Sequence, residues 1–275
     1  MGSSPLSSEV FAEGFLDPEA AEWSHRFLRE YRDWAQLFRE ANRLAVRCLI
    51  EMKVDKADRV AISICVHYVR LLHDAQCAVK LLEFGAAGPC RVLLRTMIEA
   101  AFRLGALRKE PASVDRLAPQ HNEQISKLIR GLEKSGRVGL TEEQTQAVEE
   151  EACRLAEIAP TEKNVTPAAE WARLGELSDL YETAYRHLSD AVHIGMIGLN
   201  EYVIADEHGD IHEVAWGTST RDPRTDYITA IEVTCLAVRL VEPYVKFKPA
   251  DAVDLLLARM RALPRDEGTL EKCTP

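Results

Sequence analysis

Three consecutive stretches of this chain keep a helical apolar period over twenty residues or more, and segments of that length leave few folds open. The first opens on Asp17-Pro18-Glu19, with a capping carboxylate, a proline at the first helical position and an acid in the first turn. It carries Trp23, Phe27, Tyr31, Trp34, Phe38, Ala41 and Ala45 on one stripe to about Met52. The second runs from about Asp55 to Phe84 with Ile62, Cys65, Val69, Leu72, Ala75, Val79 and Leu82, and Gly85 suits the residue just past its end. The third begins near Pro89 and stops before Pro111. Helices this long favour an antiparallel bundle over a globin-like packing.

The remaining segments are shorter. Residues 112–134 keep a more polar helical pattern. Thr141-Glu142-Glu143-Gln144 is a capping-box signature for a helix to about Ala159. Residues 112–159 therefore read as a peripheral helical hairpin, with few apolar and many charged positions. Another short helix follows Thr166-Pro167 and contains Trp171 and Leu174; Tyr181 to His193 then forms a central helix. Two apolar runs around Asp206-Glu207-His208-Gly209-Asp210 predict a small β-hairpin over 201–216. Asp222-Pro223 opens a long helix, and Pro249 leads into a last short one. The expectation is an all-α bundle forming one domain over 17–263, with a flexible leader at 1–16 and a loose tail at 264–275.

With 44 acidic against 34 basic residues, a net charge of −10 argues against a broad electrostatic grip on nucleic acid, though it permits a local basic site. No apolar run is long enough to cross a bilayer, so no membrane partner is expected. The seven cysteines are scattered, without a Cys-x-x-Cys pair, and read as buried free thiols in a reducing cytoplasm. Only Glu22-Trp23-Ser24-His25 has the Glu-x-x-His spacing that a di-iron bundle needs twice, and no glycine-rich phosphate loop follows a strand. Neither a metal nor another cofactor is expected.

Chemistry concentrates on two helices. Arg95 and Glu99 stand one turn apart at the border of an apolar stripe, where each supplies the other's counter-charge. On the central helix, Arg186, Ser189 or Asp190, and His193 are expected to share one polar stripe. Gly195 and Gly198 end that helix and put His193 in its last turn, where the dipole favours the imidazolium.

Arg186-His187, five residues, then His193 resembles the Arg-polar-x(3–5)-His motif of the HEPN superfamily. That superfamily consists of all-α bundles, many of them metal-independent ribonucleases of toxin–antitoxin and phage-defence systems. The resemblance implies that His193 handles a proton as a ribose 2′-hydroxyl attacks the adjacent phosphate. Arg186 would stabilise the charge on phosphorus, and His187 would be its polar companion. It also implies an RNA substrate and a homodimer, since such sites are usually completed by two motif helices. A second resemblance joins Arg95-Thr96-Met97-Ile98-Glu99 to Tyr185 through His193. The pair is similar to a bacterial family of unknown function with Arg-Ser/Thr-x-x-Glu on one helix and Tyr-x-x-x-Ser-x-x-x-His on a later one. The likeness spans about Ala61 to Pro249 and points to Arg95, Glu99, Tyr185, Ser189 and His193, without implying an activity. The competing reading makes Arg95, Glu99, Tyr185, His187, Ser189 and Asp190 a structural network in a non-enzymatic module that binds a protein partner or a small ligand.

Overall fold

Local capping sets several element boundaries in the computed structural model, which describes residues 9–136, 139–157, 165–192, 202–205, 211–214, 217–219 and 223–264. The Asp17 carboxylate accepts the Glu19 amide at 3.0 Å and opens α1 (Glu19–Glu30). The expected 17–52 helix bends at Tyr31 and continues as α2 (Arg32–Glu51). The hydrogen-bond ladder survives the bend: the Tyr31 amide donates to the Phe27 carbonyl at 2.9 Å and the Ala35 amide to the Tyr31 carbonyl at 3.0 Å. No proline or glycine marks the place. It falls where the Phe27 and Tyr31 rings meet, with centroids 4.7 Å apart, and the aromatic stripe stays buried on both sides of it.

α3 (Arg59–Glu83) starts one turn later than its expected Asp55. Asp58 is its cap, accepting the Val60 and Ala61 amides at 2.8 and 3.1 Å, while Asp55 accepts the Ala57 amide in the preceding turn. It ends as expected at Gly85, whose φ of +77° suits a left-handed cap. The Ala86 amide returns to the Leu81 carbonyl and the Gly85 amide to that of Leu82, both at 2.9 Å. The buried stripe of α3 differs from expectation in its first half: Ile64 and Tyr68 are buried, while of the expected residues Ile62 is exposed and Cys65 and Val69 are half-buried. Apolar residues occupy several faces there, so period alone does not choose the inner one. Tyr68 donates to the Ala45 carbonyl of α2 at 2.9 Å and pins the two helices together.

α4 (Ala87–Lys109) is the central element, packed against α3 and against the later helices α7, α9 and α10 defined below. α5 (Leu117–Lys134) and α6 (Glu142–Ala156) pack on each other, and α6 carries the expected Thr141–Gln144 capping box. Ile129 and Leu155 are buried in this pair but stand outside the main apolar cluster. There follow α7 (Ala168–Leu174), the single turn α8 (Ser178–Leu180), a π-helical turn (Tyr181–Tyr185) and α9 (Arg186–Val192). α10 (Pro223–Val241) and α11 (Ala250–Ala262) complete the bundle.

Of the segment expected as a β-hairpin over 201–216, the described part is a short antiparallel ladder. It pairs β1 (Val203–Ala205) with β2 (Ile211–Val214), Val203 opposite Val214. Residues 206–210 and 215–216 lie outside the described residues. The expected flexible leader is docked from Glu9 onward. Its Glu9 amide donates to Thr218 Oγ1 and the Thr218 amide to the Glu9 carbonyl, both at 2.8 Å, and Phe11 is buried. Gly217 permits this: a Cβ there would collide with the Glu9 carbonyl. A partner more than two hundred residues away leaves no periodic trace in the leader. Among the described cysteines, Cys48, Cys90 and Cys235 are buried as expected and Cys65 is half-buried, whereas Cys77 and Cys153 are exposed. No helix among the described residues is long and apolar enough to cross a membrane.

Candidate functional site

Four charged residues recur every fourth position along α4: Arg91, Arg95, Glu99 and Arg103. That spacing puts them on adjoining turns of one side. Arg91 faces α10, where its Nε lies 3.1 Å from Asp226 Oδ1 in a buried ion pair. Arg95 and Arg103 flank Glu99: Arg95 Nη2 is 3.4 Å from Glu99 Oε1, and Arg103 Nη1 is 3.7 Å from Glu99 Oε2. Arg103 also donates to the Glu99 carbonyl at 3.1 Å. All three are half-buried, and burial lowers the Arg103 pKa against the opposing charge of Glu99. Arg91 and Arg103 extend the Arg95–Glu99 spacing by one turn in either direction, and that four-residue spacing is the signal in the sequence that points to them.

Tyr185 closes this row from above, and two glycines set its height. A Cβ on Gly105 of α4 would lie 3.3 Å from the Gly175 backbone and 3.0 Å from Leu177 Cδ1. A Cβ on Gly175 would meet the Ala106 nitrogen at 3.0 Å, so the end of α7 crosses α4 nearly backbone to backbone. α7 ends in a Schellman turn, with the Leu177 amide donating to the Ala172 carbonyl at 2.8 Å and Glu176 in the left-handed region at φ +56°. Lys109, at the end of α4, forms an ion pair with Glu176.

The π turn then widens the helix by one residue and turns Tyr185 inward. Its ring stacks on Tyr181 with centroids 5.1 Å apart and meets Phe102 edge-on at 5.5 Å. The Tyr185 hydroxyl accepts from Arg95 Nη2 at 2.7 Å and donates to Glu99 Oε1 at 3.0 Å. The Arg95 guanidinium also lies 4.8 Å from the Tyr185 ring centroid. Burial, then the Glu99 charge, push the Tyr185 phenol up to about 12. Ser189, one turn on, donates to the Tyr185 carbonyl at 2.8 Å and accepts from Arg95 Nε at 3.4 Å.

The expected polar stripe of the central helix therefore divides. Tyr185 and Ser189 face α4, while Arg186 and His187 face solvent. Arg186 is 63% exposed, pairs with Glu182 at 3.0 Å, and lies 5.8 Å from the Tyr181 ring centroid. Arg186 and Ser189 are three positions apart, about 60° around the helix, and the edge of the α4 groove runs between them. The Asp190 side chain and the whole of His193 lie outside the described residues.

His67 of α3 also adjoins the row. Its Nδ1 lies 2.8 Å from the Ser63 carbonyl. Burial lowers its pKa and the Arg103 charge lowers it further, while the Ser63 hydrogen bond works in the opposite direction. Nothing in the spacing along α3 singles out His67, because its neighbours in the site come from α4. Among the described residues, no three His, Cys, Asp or Glu side chains gather as a set that could hold a metal ion.

The model of a family of unknown function, DUF5677, matches residues 61–211, a little over half of the chain. That span starts where the resemblance to an uncharacterised family was expected to start and stops short of Pro249. It includes His67, Arg95, Glu99, Arg103, Tyr185 and Ser189, and excludes Asp226. Comparison with the curated proteins and with the solved structures returned no match.

Proposed function

We propose that this chain, which belongs to the DUF5677 family of unknown function, is a HEPN-like metal-independent ribonuclease acting as a homodimer. The observation that carries this reading is the two-sided character of α9. Its inner face is held to α4 by Tyr185 and Ser189, which leaves Arg186 and His187 on the outer face. Arg186 makes an exposed pair with Glu182, a type of contact that contributes about 0–1 kcal/mol, so an incoming phosphate can displace it at little cost.

In this mechanism the ribose 2′-oxygen attacks the adjacent phosphorus and the bond to the 5′-oxygen breaks. The products are a 2′,3′-cyclic phosphate and a 5′-hydroxyl. His193 of one copy, as neutral imidazole, takes the 2′ proton, the imidazolium of His193 on the second motif helix gives a proton to the departing 5′-oxygen, and Arg186 stabilises the negative charge gathering on the phosphoryl oxygens. Such an enzyme works in the cytoplasm, in a toxin or phage-defence setting.

The test is cleavage of a mixed RNA pool with chelator present. Arg186→Ala should lower the rate by roughly 10²–10³-fold, the scale of a lost transition-state donor, with an unchanged melting temperature. Expression of the parent should slow host growth and the variant should not. An inactive parent, or equal activity in Arg186→Ala, would overturn the reading.

A second reading has its own support. Arg95, Tyr185, Glu99 and Arg103 satisfy one another within the fold, as a purely structural network would. The chain would then be a non-enzymatic helical module for a protein partner or small ligand. Under that reading substitutions in the row change stability, and there is no cleavage to lose.

A further inference from the structure

α3 turns its cations outward and its carboxylates inward. Its two carboxylates, Asp74 and Glu83, have side chains only 7% and 3% exposed, while their partners Arg70 and Lys80 stand 62% and 70% exposed. Arg39 of α2 reaches the same Glu83 at 3.4 Å and is 52% exposed. A hydrogen bond from Gln76 to Asn42 at 2.9 Å joins the two helices beside it, and Arg43, one turn beyond Arg39, is exposed as well. We infer that this strip across α2 and α3 is a docking surface for single-stranded RNA, with phosphates on Arg39, Arg43, Arg70 and Lys80 and a base stacked on Phe84. The choice of RNA as ligand rests on the ribonuclease reading above.

The α9 site needs such a surface. Residues 178–192 carry one arginine, Arg186, against Asp179, Glu182 and Asp190, so that segment by itself repels a polyanion. On the α2–α3 strip, four cations against Asp74 and Glu83 leave two positive charges, on a chain whose net charge is −10. Glu40, which follows Arg39 on α2, is taken up by Arg259. Donors remain for phosphate oxygens. Arg70 directs its Nε at both Asp74 oxygens, at 2.9 Å each, and Lys80 donates to Glu83 at 2.7 Å, which leaves their other N–H groups outward. Arg43 forms no hydrogen bond or ion pair among the described residues.

The strand form follows from the ring. Phe84, at the end of α3, is 40% exposed. Positions 70, 80 and 84 fall within about 80° around the helix and span about 21 Å along it, the reach of several nucleotides. A cationic track with an open aromatic face suits unpaired bases, whereas a duplex keeps its bases stacked on each other.

Fluorescence anisotropy of the full chain with a labelled, single-stranded 2′-O-methyl RNA tests this, because that RNA cannot be cleaved through its 2′-oxygen. The parent should bind it, with a log–log salt slope of about −3 for four phosphate contacts. R43Q/K80Q should bind at least tenfold more weakly, with a slope shallower by about 1.4. Arg39 still neutralises Glu83 in that variant, so its melting temperature should hold. R43Q alone, which has no ion pair to lose, should weaken binding severalfold. F84L should weaken binding and leave the slope unchanged. In cleavage assays R43Q/K80Q should raise KM for a long RNA at least tenfold, leaving kcat and the cleavage of a dinucleotide as in the parent. Absence of RNA binding, a preference for duplex RNA, anionic vesicles or an acidic peptide, or unchanged affinity in R43Q/K80Q would overturn the inference. Binding by a parent that cleaves nothing would sink the ribonuclease reading and leave this surface standing; cleavage with KM unaltered in R43Q/K80Q would do the reverse.

Discussion

Replacing Tyr185 by phenylalanine removes one oxygen and leaves the ring, so it isolates the contact that joins α9 to the charged row of α4. The ring should keep its stack on Tyr181 at 5.1 Å and its edge contact with Phe102 at 5.5 Å. What is lost is the hydroxyl that accepts from Arg95 at 2.7 Å and donates to Glu99 at 3.0 Å. Hydrogen bonds to charged partners are worth about 1.5–3 kcal/mol each. Two effects reduce the sum: Arg95 and Glu99 already approach to 3.4 Å and can close on each other, and both are partly open to water. The net loss should therefore be about 1–2 kcal/mol, or roughly 3–6 °C in melting temperature for a chain of this size.

Urea and thermal unfolding of Tyr185→Phe, Glu99→Gln and the double variant would measure it, with a coupling of about 1 kcal/mol expected from the cycle. The phenol adds a pH signature. Its folded pKa of about 12 is raised above its unfolded value of about 10, so its contribution is complete below pH ~10 and is lost as pH rises through 12. The parent should therefore lose more stability than Tyr185→Phe across that window. A loss below about 0.5 kcal/mol, or strict additivity of the two substitutions, would refute the linking role of the hydroxyl.

Gly105→Ala should destabilise although alanine normally improves a helix interior by about 1 kcal/mol. The new methyl would press on Leu177 and on the Gly175 backbone, an overpacking worth about 1–3 kcal/mol, and a raised urea midpoint would count against the close crossing. Because burial and Arg103 lower the His67 pKa in the fold, the unfolded chain takes up that proton first as pH falls below about 6.5. Melting temperature should therefore drop between pH 7.5 and 5 by more in the parent than in His67→Gln; parallel curves would show that His67 is not buried as neutral imidazole.

Helical period and caps are local properties, which is why much of this protein was legible before its structure. The aromatic stripe from Trp23 to Ala45, the end of α3 at Gly85 and the Thr141 box all follow from residues within two turns of one another. The spacing of Arg95 to Glu99 and of Tyr185 to Ser189 was legible for the same reason: four positions return a side chain to nearly the same side. Three positions leave a wider offset of about 60°, and Arg186 shows the consequence. Its 60° offset from Ser189 could lie on either side of the groove edge, and only the packing of α9 on α4 put Ser189 inside and Arg186 out.

Tertiary structure also decided what no spacing within one helix could. Arg91 is neutralised by Asp226 of α10, Arg103 shares Glu99 with Arg95, and His67 adjoins them from α3. The depth of Tyr185 depends on two glycines seventy residues apart and on a π turn that departs from the regular helical period of its neighbours. The sequence by itself determined which residues can stand together along one helix, because backbone geometry imposes that angle everywhere. Which of those faces meets another helix, and which charge finds its partner there, is a matter of long-range packing, and only the assembled bundle settled it.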